Sequence, residues 1–119
     1  MEKMDNKKYY WNEVNVRKIL PLMVKKIIEI SHPEKIILFG SYAKGTESRD
    51  SDIDLLIVKD KIESKIKETL KIRRSLKNFV IPKDIIVVRI DEFKFYSKEY
   101  GSVVREAVLK GKVLYEKTV

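Results

Sequence analysis

Two short apolar runs, residues 53–58 and 85–90, flank an amphipathic segment of helical period at 61–78, and this alternation constrains the fold more than any other feature of the chain. Strand, helix, strand in that order is a crossover unit, which joins two parallel strands with a right-handed turn. Parallel neighbours begin at the same edge of a sheet. Asp84, just before the second run, is therefore expected beside Asp52 and Asp54, at the entrance of the first. Asp is a poor strand former, and carboxylates at positions i and i+2 of a strand point the same way. Three such groups on one edge repel one another and raise at least one pKa unless a cation lies among them.

The remaining elements follow from periodicity. Val16, Ile19, Leu20, Met23, Val24, Ile27 and Ile28 recur at helical spacing, so residues 16–30 form an amphipathic helix. Pro21 either kinks it or opens a separate segment. Residues 35–39, bounded by turn residues, read as a buried strand. If that strand pairs antiparallel with 53–58, it delivers Gly40 and Ser41 to the edge that carries the aspartates. Thirteen residues separate Phe39 from Ile53, long for a hairpin loop, so 41–44 is expected to start a short helix. In the 61–78 helix, Ile62, Ile66, Thr69, Leu70, Arg73 and Leu76 form the expected inner stripe. Val103, Val104, Ala107 and Val108 mark a further helix ended by Gly111, and Val113-Leu114-Tyr115 a last apolar segment. The whole, residues 1–119, reads as a single α/β (α+β) domain: a small mixed sheet with helices packed on it.

Composition narrows the function classes. No apolar run approaches the roughly 18 residues that span a bilayer, and the polar N-terminus lacks the pattern of a secretory signal, so a soluble, cytoplasmic protein is expected. The chain has no cysteine, which excludes disulfides and thiolate metal sites. Its net charge of +8 comes from lysines spread along the whole sequence. Such a spread gives a general attraction for anions, including nucleotides and acidic protein surfaces, rather than a nucleic-acid groove.

Three carboxylates without His or Cys form a hard oxygen set that selects Mg²⁺, with Mn²⁺ as a substitute. In two-metal phosphoryl chemistry one ion activates the attacking oxygen and the other steadies the triphosphate and its leaving group. Asp52 and Asp54 suit bridging positions, and Asp84 the ion nearer the attacking hydroxyl. Gly40 lets backbone N–H groups approach a phosphate closely, and Ser41 adds a hydroxyl. Lys44 and Arg49 are candidates for neutralising phosphate charge. His32, before Pro33, reads as a loop residue. Tyr9, Tyr10 and Trp11 either stack on a base or partner or pack the first helix against the sheet.

Phe39-Gly40-Ser41-Tyr42-Ala43-Lys44-Gly45, followed by Ser51-Asp52-Ile53-Asp54-Leu55-Leu56, resembles the signature of the DNA polymerase β-like nucleotidyltransferase superfamily. The wording is most similar to its minimal nucleotidyltransferase (MNT) branch, and the likeness covers most of the chain. The resemblance implies transfer of a nucleoside monophosphate from an NTP to a hydroxyl with release of pyrophosphate. It implies two divalent ions held by Asp52, Asp54 and Asp84, phosphate contacts at Gly40 and Ser41, and ATP as the substrate. Many relatives carry Arg where this chain has Lys44, which keeps the charge without the bidentate fork. Small MNT proteins resemble antitoxins that silence a HEPN-family toxin, in known cases by attaching AMP to a tyrosine of that partner. The alternative implied is a binding module that neutralises its partner by stoichiometric complex formation.

Overall fold

The computed structural model describes residues 7–118. Six strands and five helices follow one another as β1 (Tyr9–Tyr10), α1 (Val16–Ser31), β2 (Lys35–Phe39), α2 (Gly40–Lys44), β3 (Ile53–Lys59), α3 (Lys65–Ser75), β4 (Phe79–Val80), β5 (Lys83–Arg89), α4 (Ile90–Tyr96), α5 (Val103–Lys110) and β6 (Lys112–Glu116). The main sheet has the order β5-β3-β2-β6. β3 and β5 are parallel, as the crossover requires, while β2 runs antiparallel to both β3 and β6. The expected mixed sheet is present.

Strand alternation gives the sheet two apolar faces. On one, Ile36, Leu38, Leu55, Ile57, Ile85 and Val87 meet Leu20, Met23, Val24 and Ile27 of α1 and Ile72 of α3. On the other, Ile37, Phe39, Leu56, Val58 and Val88 meet Val104 and Ala107 of α5. Gly111 lets the chain turn from α5 into β6 against β2: a Cβ there would overlap the Ala107 carbonyl oxygen and lie 2.7 Å from that of Leu38. Only glycine fits.

α1 matches its periodicity and runs through Pro21, which is exposed, so the lost N–H faces the solvent side. Asn15 caps it by accepting the Arg17 N–H at 3.1 Å. α3 differs from expectation. It begins at Lys65, where the Ser64 side chain accepts the Lys67 N–H at 3.2 Å, and its inner stripe is rotated. Ile66 is 75% exposed and Leu70 44%, whereas Ile72 and Leu76 are fully buried. The cause is a polar residue on the inner face: Glu68, one turn before Ile72, accepts hydrogen bonds from Ser31 at 2.6 Å and Lys59 at 3.2 Å. A pattern scored on apolar residues misses a neutralised acid.

Three further elements, α4, β1 and β4, lie outside the expectation. Ile90 opens α4 instead of ending the strand, and Glu92 accepts the Arg89 N–H at 3.1 Å across its first turn. Tyr9 and Tyr10 form a strand parallel to β4, with the Tyr9 ring stacked on Phe79 at 5.1 Å between centroids. This second, two-stranded sheet packs Tyr9 against the core and leaves Tyr10 exposed. No helix among the described residues is long and apolar enough to cross a membrane.

Candidate active site

The parallel pairing of β3 with β5 sets Asp54 and Asp84 directly opposite each other. Neighbouring strands lie about 4.8 Å apart, and paired residues share a face, so the two carboxylates emerge together. They occupy the face that carries Leu56 and Val58. Asp52 precedes β3 at the same edge and is exposed, as is Asp84, while Asp54 is half-buried between them. On its other flank Asp54 pairs with Phe39, the last residue of β2. The chain then turns at Gly40, whose φ of +70° belongs to the left-handed region. A Cβ at Gly40 would overlap Asp54 Oδ2, so glycine is required there both by conformation and by the approach of backbone to carboxylate.

The electrostatics of this edge follow from that packing. Burial pushes the Asp54 carboxyl up from its ordinary value, and the negative charges of Asp84 and Asp52 push it further. No cationic side chain offsets them in that balance. Among the described residues no three carboxylate or imidazole groups stand close enough to enclose a metal ion as they are, so the aspartates share an edge without converging on a point. Their chemistry nevertheless suits a hard divalent cation: three oxygen donors, mutual repulsion to be relieved, and the space that Gly40 leaves beside Asp54 Oδ2.

The two candidate cations have other partners in this structure. Lys44 ends α2 and forms an ion pair with Glu106 of α5 at 3.0 Å, which fastens α2 across the sheet edge. Arg49 stands over the Trp11 ring at 5.4 Å. Ser41 is half-buried, and its carbonyl accepts the Thr46 N–H at 3.0 Å. The 45–52 connection is held along its length. Arg17 donates to Glu47 at 2.9 Å and to the Tyr42 carbonyl at 2.9 Å, and the Ser48 N–H donates to Ser51 Oγ at 2.8 Å. The Ile53 N–H then donates to the Pro82 carbonyl at 2.9 Å, which ties the start of β3 to the start of β5. The two segments that carry the aspartates are thereby held side by side.

The sequence pattern described as Polymerase beta, Nucleotidyltransferase matches residues 23–118. The chain belongs to this nucleotidyltransferase family. A protein of Methanocaldococcus jannaschii named "Putative protein adenylyltransferase MJ0604" is 39% identical over 82 residues, which are 69% of this chain and 78% of that protein. A "putative nucleotidyltransferase" of Sulfolobus solfataricus shares the fold with a TM-score of 0.58 at 20% identity, covering 96% of this chain and 94% of its own. A toxin-antitoxin structure with AMP-PNP superposes with a TM-score of 0.52 at 24% identity, over 82% of this chain and 74% of that one. Both likenesses establish the fold.

The matched stretch of this nucleotidyltransferase contains the whole sheet edge, from Gly40 to Asp84, but leaves out β1 and the first turns of α1. Sequence reasoning did not find the pairing of Lys44 with Glu106, because nothing local links positions so far apart. The contact of Trp11 with Arg49 is also long-range, and only the density of aromatics at 9–11 hinted at a role.

Proposed function

We propose that this nucleotidyltransferase carries AMP from ATP to a hydroxyl of a partner protein, and that the partner is a HEPN-family toxin which this chain serves as antitoxin. The carrying observation is the setting of Asp54, held between Gly40 and an in-register Asp84 with only like charges acting on it. The relative named as a protein adenylyltransferase supports the reaction class, and the toxin-antitoxin structure with AMP-PNP supports both nucleotide and partner.

Asp52, Asp54 and Asp84 would hold Mg²⁺ or Mn²⁺, two ions in all. The ions supply charge neutralisation at the triphosphate and activation of the attacking oxygen. Gly40 and Ser41 position the phosphates through backbone N–H groups and a hydroxyl. In the transfer, the acceptor oxygen forms a bond to the α-phosphorus while the bond to the pyrophosphate oxygen breaks. The acceptor proton passes to a carboxylate, for which this reading takes Asp84, exposed at the sheet edge.

The test is incubation with ATP labelled at the α-phosphate, Mg²⁺ and the toxin encoded beside the gene. The toxin is expected to become labelled, with pyrophosphate released in equal amount and both signals lost in Asp54→Asn. Absence of labelling with every NTP overturns the reading. Full neutralisation of the toxin by Asp54→Asn at equal stoichiometry would show that complex formation suffices.

A further inference from the structure

A cavity of about 590 Å³ opens between Phe39, at the end of β2, and the turn and helix of residues 100–110. Phe39 packs with Leu56 and Val58, so the cavity is on the face of the sheet from which Asp54 and Asp84 emerge. Its other walls include Tyr100, Val103, Arg105, Glu106 and Leu109. We propose that this cavity takes the nucleoside end of ATP, with the adenine stacked on Tyr100 while the phosphates lie at Gly40 and Ser41. The inference rests on the transferase reading above and adds what recognises the base.

Position is the first argument. Phe39 stands opposite Asp54 in the ladder of β2 and β3, where paired Cα atoms are about 5 Å apart, and Gly40 follows it directly. The cavity therefore begins one residue from the turn that takes the phosphates. The strand order β5-β3-β2-β6 then separates the two reactants. Asp84, assigned above to the acceptor, is on β5, with β3 between it and β2. A cavity on the β2 side, shared with Gly40 and Ser41, belongs to the nucleotide rather than to the acceptor. Size is the second argument: pockets for drug-sized ligands occupy roughly 300–1,000 Å³, the class into which a nucleoside falls.

Chemistry is the third argument. Every base has a π-face, and bases stack on aromatic rings or guanidinium planes. Tyr100 is 98% exposed, and its ring has no stacking partner among the described residues. Arg105 supplies a guanidinium that forms no ion pair among them. Val103 and Leu109 add exposed apolar surface for a base and ribose to cover. Glu106, the carboxylate of this wall, is held by Lys44 at 3.0 Å, so its charge is balanced where an anionic ligand arrives. The platform is fixed in place. Gly101 turns the chain with a φ of +81°, the Ser102 N–H donates to the Glu99 carbonyl at 3.1 Å and the Ser102 hydroxyl to that of Tyr96 at 2.6 Å. The same hydroxyl oxygen accepts the Arg105 N–H at 3.0 Å. An aromatic side chain presented on an ordered turn loses little freedom when a ligand covers it.

The experiment titrates the full chain in Mg²⁺ with a non-hydrolysable ATP analogue and with inorganic tripolyphosphate, reading binding heat. Tyr100→Ala changes an exposed side chain and keeps the fold. It is expected to weaken the analogue about fivefold to a hundredfold with no effect on tripolyphosphate, and Tyr100→Phe to recover most of that loss. Arg105→Ala is expected to weaken the analogue more than tripolyphosphate. Equal weakening of the two ligands by Tyr100→Ala would put its effect on the phosphates and overturn the subsite. Unchanged analogue binding in both alanine variants also overturns it, and a raised KM for the toxin in those variants would give the cavity to the acceptor instead. In either case tripolyphosphate binding that is lost in Asp54→Asn keeps the transferase reading. Failure of both ligands to bind the parent chain overturns the two together.

Discussion

Glu68 and Asp54 are two half-buried carboxylates on opposite sides of the same sheet, and their surroundings differ in sign. Burial alone raises the pKa of each. At Glu68 that effect is overcome by hydrogen bonds from Ser31 and Lys59 and by the charges of Lys59 and Lys71, so its carboxyl lies below the ordinary range. At Asp54 the neighbours are Asp84 and Asp52, which add to burial. A structural acid is surrounded by its compensation. An acid left among like charges in a folded protein stores an attraction for a cation that the fold itself does not satisfy.

The sharpest way to break this comparison is to neutralise each acid in turn. Asp54→Asn is expected to reduce AMP transfer by at least about a hundredfold while circular dichroism and cooperative unfolding stay as in the parent chain. Loss of the fold would mean that Asp54 is structural after all. Gly40→Ala comes next, because it forces a left-handed conformation on an L residue and drives a methyl group into Asp54. A stability loss of about 1–3 kcal/mol and an activity loss beyond that of the unfolded fraction are expected from chemical denaturation and initial rates.

Glu68→Gln should do the reverse of Asp54→Asn. It leaves Lys59 without its partner and is expected to cost about 1–3 kcal/mol, with the specific activity of the folded protein unchanged. A loss of transfer without a loss of stability would put Glu68 in the catalytic machinery and end the contrast.

The pH dependence separates the two acids by sign. Glu68 has a lowered folded-state value, so its stabilisation is complete above its ordinary 4.5 and disappears as pH falls through the lowered value. The Glu68→Gln penalty should therefore vanish in acid. Asp54 has a raised value, so it contributes most below its ordinary 3.8 and that contribution is lost as pH rises through the raised one. Above that window, in chelator, Asp54→Asn is expected to be more stable than the parent by no more than about 1 kcal/mol after solvent screening. The gain should shrink to nothing on acidification. This is the smallest effect, and Mg²⁺ with ATP should reverse its sign, since only the parent chain gains from binding.

Much of the fold was legible because it rests on local signals. The strands at 35–39 and 53–58 appear as short apolar runs and α1 as a periodic stripe, and the crossover rule put Asp84 at the edge of Asp52 and Asp54; the register that sets it opposite Asp54 belongs to the strand pairing. The α3 stripe misled for a physical reason. Ile66 and Leu70 are apolar but exposed, while the inner position is taken by Glu68, whose burial is tolerable only because Ser31 and Lys59 come from α1 and β3. The start of α4 at Ile90 was hidden by the apolar run that ends there.

What the sequence by itself determined is the inventory of the edge: a glycine-serine turn, an Asp-x-Asp pair and a third Asp at the head of parallel strands. The crossover brings the aspartates to one edge, and the antiparallel pairing of β2 with β3 adds the glycine-serine turn. What only the tertiary structure decided is where the side chains of Lys44 and Arg49 rest. Lys44 is taken by Glu106 and Arg49 by Trp11, and no local pattern could say so, because those partners are distant in sequence and meet only when α5 and the N-terminal arm close on the sheet. At Asp54 burial and the charges of Asp84 and Asp52 act together, while Lys44 and Arg49 rest against Glu106 and Trp11.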